Sequence, residues 1–198
     1  MKRPSEELRR HFGGIDIYLF DQLLRGRFDD RHRILDAACG EGRNLPYFVS
    51  AGFDVCAIDA DPAAVAAVER LAPAADVRRG ELTALPWEDA SMDAIICSAV
   101  LHFARDRLHF DAMVREMWRV LRAGGLFFAR LATSIGIEQL LPAATGRMQL
   151  PDGTDRYVVD EQLLLEITHE LGGVLLDPIK TTNVQNQRCM TTWVVEKR

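Results

Sequence analysis

The sequence predicts an α/β fold: a doubly wound, mostly parallel seven-stranded sheet with one antiparallel strand near the edge and helices on both faces. Three observations carry this prediction. Short apolar runs alternate with segments of helical period from residue 33 onward. One run, Ala94-Ile95-Ile96-Cys97, is apolar on both strand faces, as a central strand of a covered sheet requires. The last two strand-like runs are joined by a connection short enough for a hairpin, which reverses one of them.

Taken in order, residues 1–30 are expected to form N-terminal cover helices, with a helix from about Ile15 whose Ile15, Leu19 and Leu23 face the sheet. Strands are expected over 33–37 and 53–58, with a short helix from Asn44 to Ala51 between them, closed by Gly52. Asp61-Pro62 supplies an N-cap and a first-turn proline; Val65, Val68 and Leu71 share a face before Pro73. A short strand follows over 76–79 and a fourth over 92–100. Leu108 to Arg122 is the clearest helix, striped by Phe110, Met113, Val114, Met117 and Leu121, and Gly124-Gly125 is expected to end it. A fifth strand covers 126–131. Residues 132–159 lack strong periodicity, contain Gly136, Pro142, Gly146, Pro151 and Gly153, and are expected to be an insertion or lid. A helix from Asp160 through Leu171 and strands over 173–180 and 190–196 complete the chain.

At 198 residues and 48% hydrophobic content the chain suits a single domain, 1–198, with its nucleotide-side core over 33–131. A formal charge of -5 lacks the positive field that drives non-specific nucleic-acid binding, so no nucleic-acid partner is expected. The run Arg25, Arg27, Arg31, Arg33 is interrupted by Asp29 and Asp30 and reads as a solvated, salt-bridged surface. Cys39, Cys56, Cys97 and Cys189 lie far apart without a C-x-x-C pair, which predicts neither zinc site nor disulfide framework and fits a reducing cytoplasm. No run approaches the ~20 apolar residues of a membrane span, so no membrane partner is expected.

The chemistry is concentrated where the first strand turns into the first helix. Asp36-Ala37-Ala38-Cys39-Gly40-Glu41-Gly42 places glycines where a ligand must approach bare backbone. Asp59 ends the second strand, where a carboxylate is placed to accept both hydroxyl protons of a ribose lying across the strand tips. A nicotinamide-binding G-x-G-x-x-G would need glycine at position 45, and Leu45 stands there.

These residues resemble the class I S-adenosylmethionine (SAM)-dependent methyltransferases, whose signature [DE]-x-G-x-G-x-G reads D-x-A-x-G-x-G here, with Ala38 in the first glycine position. The resemblance runs in order through Gly80-Glu81-Leu82-Thr83-Ala84-Leu85-Pro86-Trp87, Ser91-Met92-Asp93-Ala94-Ile95-Ile96-Cys97-Ser98 and Val120-Leu121-Arg122-Ala123-Gly124-Gly125-Leu126. Cys39-Gly40-Glu41-Gly42-Arg43-Asn44 also resembles the start of the small tellurite-resistance type of methyltransferase.

The resemblance implies a Rossmann-like fold that binds SAM, releases S-adenosylhomocysteine and transfers the methyl group by in-line displacement; the acidic balance points to a small-molecule acceptor, and the lack of clustered metal ligands to transfer without a metal. The resemblance also implies cofactor contacts from Asp36, Ala38, Cys39, Gly40, Gly42, Asp59, Ala60 and Ser98, with Glu81 accepting from the adenine amino group and Leu82 offering its backbone amide. Arg43 either reaches the SAM carboxylate or closes a helix–sheet salt bridge, and Tyr18 either reaches that carboxylate or belongs to a cover helix. His102, after the fourth strand, is the candidate catalytic residue, as a general base or as a packing or adenine contact. Arg130, Arg147 and Arg156 are candidates to read an acid on the acceptor. A SAM-binding sensor or partner subunit without transferase activity stays open as the alternative.

Overall fold

The structure, a computed structural model, describes residues 4–198; residues 1–3 of the expected N-terminal cover lie outside the described residues. The cover consists of two helices, α1 (Pro4–Phe12) and α2 (Ile17–Leu24). Asp16 caps α2 by accepting the Tyr18 N–H, so the helix starts two residues later than its apolar periodicity alone suggests.

The βα alternation follows as β1 (Arg33–Ala37), α3 (Leu45–Ser50), β2 (Asp54–Asp59), α4 (Pro62–Leu71), β3 (Asp76–Arg79), β4 (Met92–Ser98), α5 (Arg107–Val120) and β5 (Leu121–Thr133). The chain ends with β6 (Gly146–Gln149), β7 (Asp155–Val158), α6 (Glu161–Glu170), β8 (Gly173–Leu175), β9 (Lys180–Val184) and β10 (Arg188–Lys197). The main sheet has the order β3-β2-β1-β4-β5-β10-β8, with β9 also paired to β10. Strands β1 to β5 pair in parallel, and β10 runs antiparallel to its neighbours.

Alternation along β1 shows why both faces are covered. Ile34 packs with Leu19, Phe48 and Val68 from α2, α3 and α4, whereas Leu35 packs into the cluster containing Phe110, Met117 and Leu164 from α5 and α6. Neighbours Phe127 and Phe128 divide in the same way, each fully buried and worth ~1.5–3 kcal/mol of burial. The strand order reverses between β1 and β4, which opens a crevice at their carboxyl ends.

Two expectations are corrected, and one segment gains structure that its sequence did not show. Gly124-Gly125 does not end the long helix; α5 stops at Val120, and the glycines lie inside β5, where the pairing with β4 shifts register. A Cβ on Gly125 would stand 2.5 Å from Leu121 Cδ1, so this chain reversal needs glycine there. Within residues 132–159, expected as an insertion or lid, β5 runs on to Thr133, and β6 and β7 form their own antiparallel pair, held by Leu150 and Val158 against Ala132. The strand expected over 173–180 is broken into β8 and β9 around Asp177, which receives Gln22 and Arg25 from the α2 segment and the nearby Arg27.

Candidate functional site

The loop after β1 turns on three residues with positive φ: Ala38 at 57°, Gly40 at 53° and Gly42 at 77°. Position 38 thus adopts a conformation that favours glycine, although the chain carries alanine there. The two glycines serve different ends. A Cβ on Gly42 would meet Leu71 Cδ2 at 2.9 Å and Val68 Cγ2 at 3.1 Å, so its bareness lets α4 pack close. A Cβ on Gly40 would meet nothing within 4 Å; its bareness faces open space.

Asp59 ties this loop to the next. One carboxylate oxygen accepts the Gly40 N–H at 2.9 Å, and the other accepts the Asp61 N–H at 3.0 Å. Around them lies a cleft of about 560 Å³, bounded by Ala38 to Glu41, Arg43, Asn44 and Asp59 on one side and by Ser98, Ala99, Val100 and Phe103 on the other. It occupies the crevice between the carboxyl ends of β1 and β4. A smaller hollow of about 250 Å³ between Val49, Phe53 and Ala75 lies by the amino end of β2, away from the glycine loop.

The structure brings Ala38, Cys39, Gly40, Arg43, Asp59 and Ser98 together at the cleft. Asp36 is fully buried in β1, and its Oδ2 has no hydrogen-bond partner. Burial, aided by the nearby Asp59 charge, pushes its carboxyl up to about 7 against the pull of Arg43. Burial also pushes the Cys39 thiol up to about 12, which leaves it an inert neighbour and no nucleophile.

The remaining candidates lie outside the cleft lining. Ala60 is exposed and its carbonyl accepts from Arg79. Glu81 is exposed in the loop after β3, while the Leu82 side chain is buried in the core. Tyr18 turns to the far edge of the sheet: its hydroxyl bonds Thr182 on β9, and the Arg130 guanidinium lies 4.9 Å from its ring centroid.

His102 sits in a single 3-10 turn, Leu101–Phe103, and is buried. Its Nδ1 accepts the Ala132 N–H at 3.3 Å, so the neutral ring carries its proton on Nε2 and offers a donor, not a basic lone pair. Desolvation, with help from Arg156 and Arg188, lowers its pKa to about 4.

One buried residue that sequence reasoning missed, Asp16, organises the site with Asn44 as a partner. Asp16, 4% exposed, accepts from Ser98 Oγ and Arg130, each at 3.1 Å, and lies 3.7 Å from Arg43. Its own N–H donates to Asn44 Oδ1. One cap residue therefore joins α2 to the glycine loop, β4 and β5. The N-cap pattern at Asp16-Ile17 is a local signal for its first role; nothing local signals the others.

A second cavity of about 260 Å³ adjoins the cleft, because Arg43 and Ala99 line both. Its walls include His102, Arg130, Arg156 and Arg188. Arg147, by contrast, pairs with Asp155 and with the Ala104 carbonyl.

Comparison with known proteins bears on the family and the fold. Residues 35–129 match the family model described as a methyltransferase domain. A protein of Encephalitozoon cuniculi named as a methyltransferase is 32% identical over 184 residues, covering 87% of this chain and 82% of that protein. A protein of Mycolicibacterium smegmatis named as a SAM-dependent methyltransferase is 38% identical over 94 residues, 48% of this chain; the match spans only 35% of that relative's length. The solved structure of a SAM-dependent methyltransferase from Methanosarcina mazei superposes with a TM-score of 0.72 over 88% of this chain and 96% of its own, at 17% identity, a likeness of fold. The sequence signature, the open glycine loop at the switch point and these relatives together place the chain in the SAM-dependent methyltransferase family.

Proposed function

We propose that the chain transfers a methyl group from SAM to a small-molecule acceptor. The observation that carries this reading is the shared wall: Arg43 and Ala99 border both the large cleft of the glycine loop and the smaller cavity beside it. Donor and acceptor in adjoining compartments meet the proximity requirement of an in-line displacement.

The cleft fits the cofactor. The face of Gly40 is free of side chains, Asp59 keeps lone pairs beyond its two amide bonds, and the Asp36 carboxyl, its Oδ2 without a partner, lies in the strand beneath. When bound, SAM supplies a methyl group already activated on a sulfonium. In this reading Asp59 accepts the ribose hydroxyls, Glu81 and the Leu82 amide take the adenine, and Arg43 and Ser98 face the amino-acid end. Ala38, Cys39, Gly42 and Ala60 shape the backbone around it. Tyr18 has its hydroxyl committed to Thr182 and acts on the site through the cover helix and through Arg130, whose guanidinium lies over its ring. His102 orients or donates to the acceptor through Nε2, and the chain's work is positioning and exclusion of water.

The deciding experiment is calorimetric titration with SAM of the wild-type protein and the Asp59→Ala variant, followed by a product assay for S-adenosylhomocysteine. Saturable binding that Asp59→Ala weakens by more than tenfold, beyond ~1.4 kcal/mol, supports the cofactor assignment. No binding by folded wild-type protein sinks it. Binding with no product across a broad acceptor panel sinks the transferase reading and leaves a SAM-binding protein.

A further inference from the structure

The cavity beside the cleft has a charge pattern that the methyl donor does not explain. It is lined by four guanidinium-bearing side chains, Arg43, Arg130, Arg156 and Arg188. Two carboxylates answer them. Asp16 serves both Arg43 and Arg130, at 3.7 and 3.1 Å. Asp152 meets Arg188 at 3.3 Å while also holding the Thr154 N–H and hydroxyl. Arg156 has no carboxylate partner among the described residues; it donates to the Asp155 carbonyl and stacks 4.8 Å from the ring centroid of Phe103, which itself borders the cleft. His102 adds no compensating charge, because a neutral imidazole lines the same wall.

We infer that the methyl acceptor is a small molecule bearing an oxyanion, a carboxylate or a phosphate, held in this cavity by Arg156 and Arg188. The inference rests on the methyl-transfer reading and adds the chemical class of the acceptor to it. Guanidinium groups suit an oxyanion because their forked donors match its paired oxygens, and the bonds are charge-assisted. Leu150, Val184 and Met190 add an apolar side to the wall, which also holds Asp152 with its oxygens engaged by Arg188 and Thr154, and leave room for a short apolar body. At about 260 Å³ the cavity lies below the ~300–1,000 Å³ of drug-sized pockets, which holds the acceptor to a small one.

The placement along the chain also suits a specificity site. Arg156 comes from β7 and Arg188 from β10, both beyond the residues that match the methyltransferase family model, 35–129. The general cofactor cleft and the acceptor reader thus lie in different stretches of sequence.

The test uses the full chain saturated with S-adenosylhomocysteine. Sodium benzoate, sodium phosphate and the uncharged benzamide are titrated calorimetrically in low-chloride buffer against wild type, Arg156→Gln, Arg188→Gln and Arg188→Lys. The expected result is binding of benzoate or phosphate at least tenfold tighter than of benzamide, weakened tenfold by either Gln variant and restored in part by Arg188→Lys. The better of the two anions identifies which oxyanion the cavity takes. Failure of both anions to bind, or binding that survives both Gln variants, overturns the inference. SAM affinity measured separately keeps the two readings apart: anion binding without SAM binding would sink the transferase reading and leave an anion site.

Discussion

The carboxylate of Asp59, at the end of β2, accepts the backbone N–H of Gly40, 19 positions earlier in the chain, at 2.9 Å. Its second oxygen takes the Asp61 N–H, so both oxygens are needed to hold the two loops that border the cleft. An amide side chain has only one accepting oxygen. Asp59→Asn should therefore weaken SAM about tenfold and Asp59→Ala more strongly, with a smaller loss of stability because the residue is only half-buried. Calorimetry alongside thermal denaturation checks this; equal SAM affinity for wild type and both variants would refute it.

The glycine loop should separate packing from binding. Gly42→Ala drives a methyl into Leu71 and Val68 and is expected to cost ~2 kcal/mol or more of stability. Gly40→Ala meets open space, so its cost is the ~1–2 kcal/mol of a left-handed L-residue while its methyl intrudes into the cleft and cuts SAM affinity. Ala38→Gly, at φ 57°, should instead stabilise by ~0.5 kcal/mol, since relief of strain exceeds the entropy cost of glycine. Chemical denaturation of the three variants gives the ranking.

The buried imidazole of His102 sets an acid limit. Its folded pKa of about 4 lies below the ordinary 6.5, chiefly through desolvation, so the stability from a neutral ring is present above pH 6.5 and lost as pH falls towards 4. The ceiling on that loss is roughly 3 kcal/mol. His102→Gln should flatten the fall in melting temperature over this window. The wild-type rate profile should show no inflection from this residue near pH 6.5; one that vanished in His102→Gln would contradict the geometry.

Asp36 acts in the opposite direction. Its carboxyl is raised to about 7, so the folded protein retains a proton that the unfolded chain gives up near pH 4. Stability therefore declines as pH rises from about 4 to about 7 and stays reduced above. Asp36→Asn should remove that decline and gain most relative to wild type at pH 8, measured by denaturation at matched ionic strength.

Removing the Asp16 carboxylate leaves Arg130 and Arg43 without their shared partner and uncaps α2. Asp16→Ala should cost ~3 kcal/mol, within the range for breaking a buried pair. Asp16→Asn keeps a competent N-cap and should cost less. Denaturation curves check both, and equal losses would mean that the charge, not the cap, dominates.

The central strands and the glycine loop are legible in the sequence because their signals are local. Ile34-Leu35 and Ala94-Ile95-Ile96-Cys97 announce strands covered on both sides, and Asp61-Pro62 announces a helix start where α4 begins. The β6–β7 hairpin is not legible, since strands of four residues are too short for alternation to stand out. Nor is the Asp16 hub, whose partners Ser98 and Arg130 come from strands that meet only in the folded sheet. Arg188 carries no sequence signal at all; the β9–β10 turn, with Gln185 and Asn186 at positive φ, delivers it to the cavity.

The break between β8 and β9 has a consequence for how the molecule behaves in company. An open sheet edge is a template on which another chain can add a strand. Here that edge offers three residues on one side of the interruption and five on the other, with Asp177-Pro178 between them and α2 fastened across the gap. An incoming strand would lose register at the proline and meet a carboxylate already claimed by Gln22 and Arg25. The same irregularity that ends a regular strand early thus makes that border a poor template for an added strand.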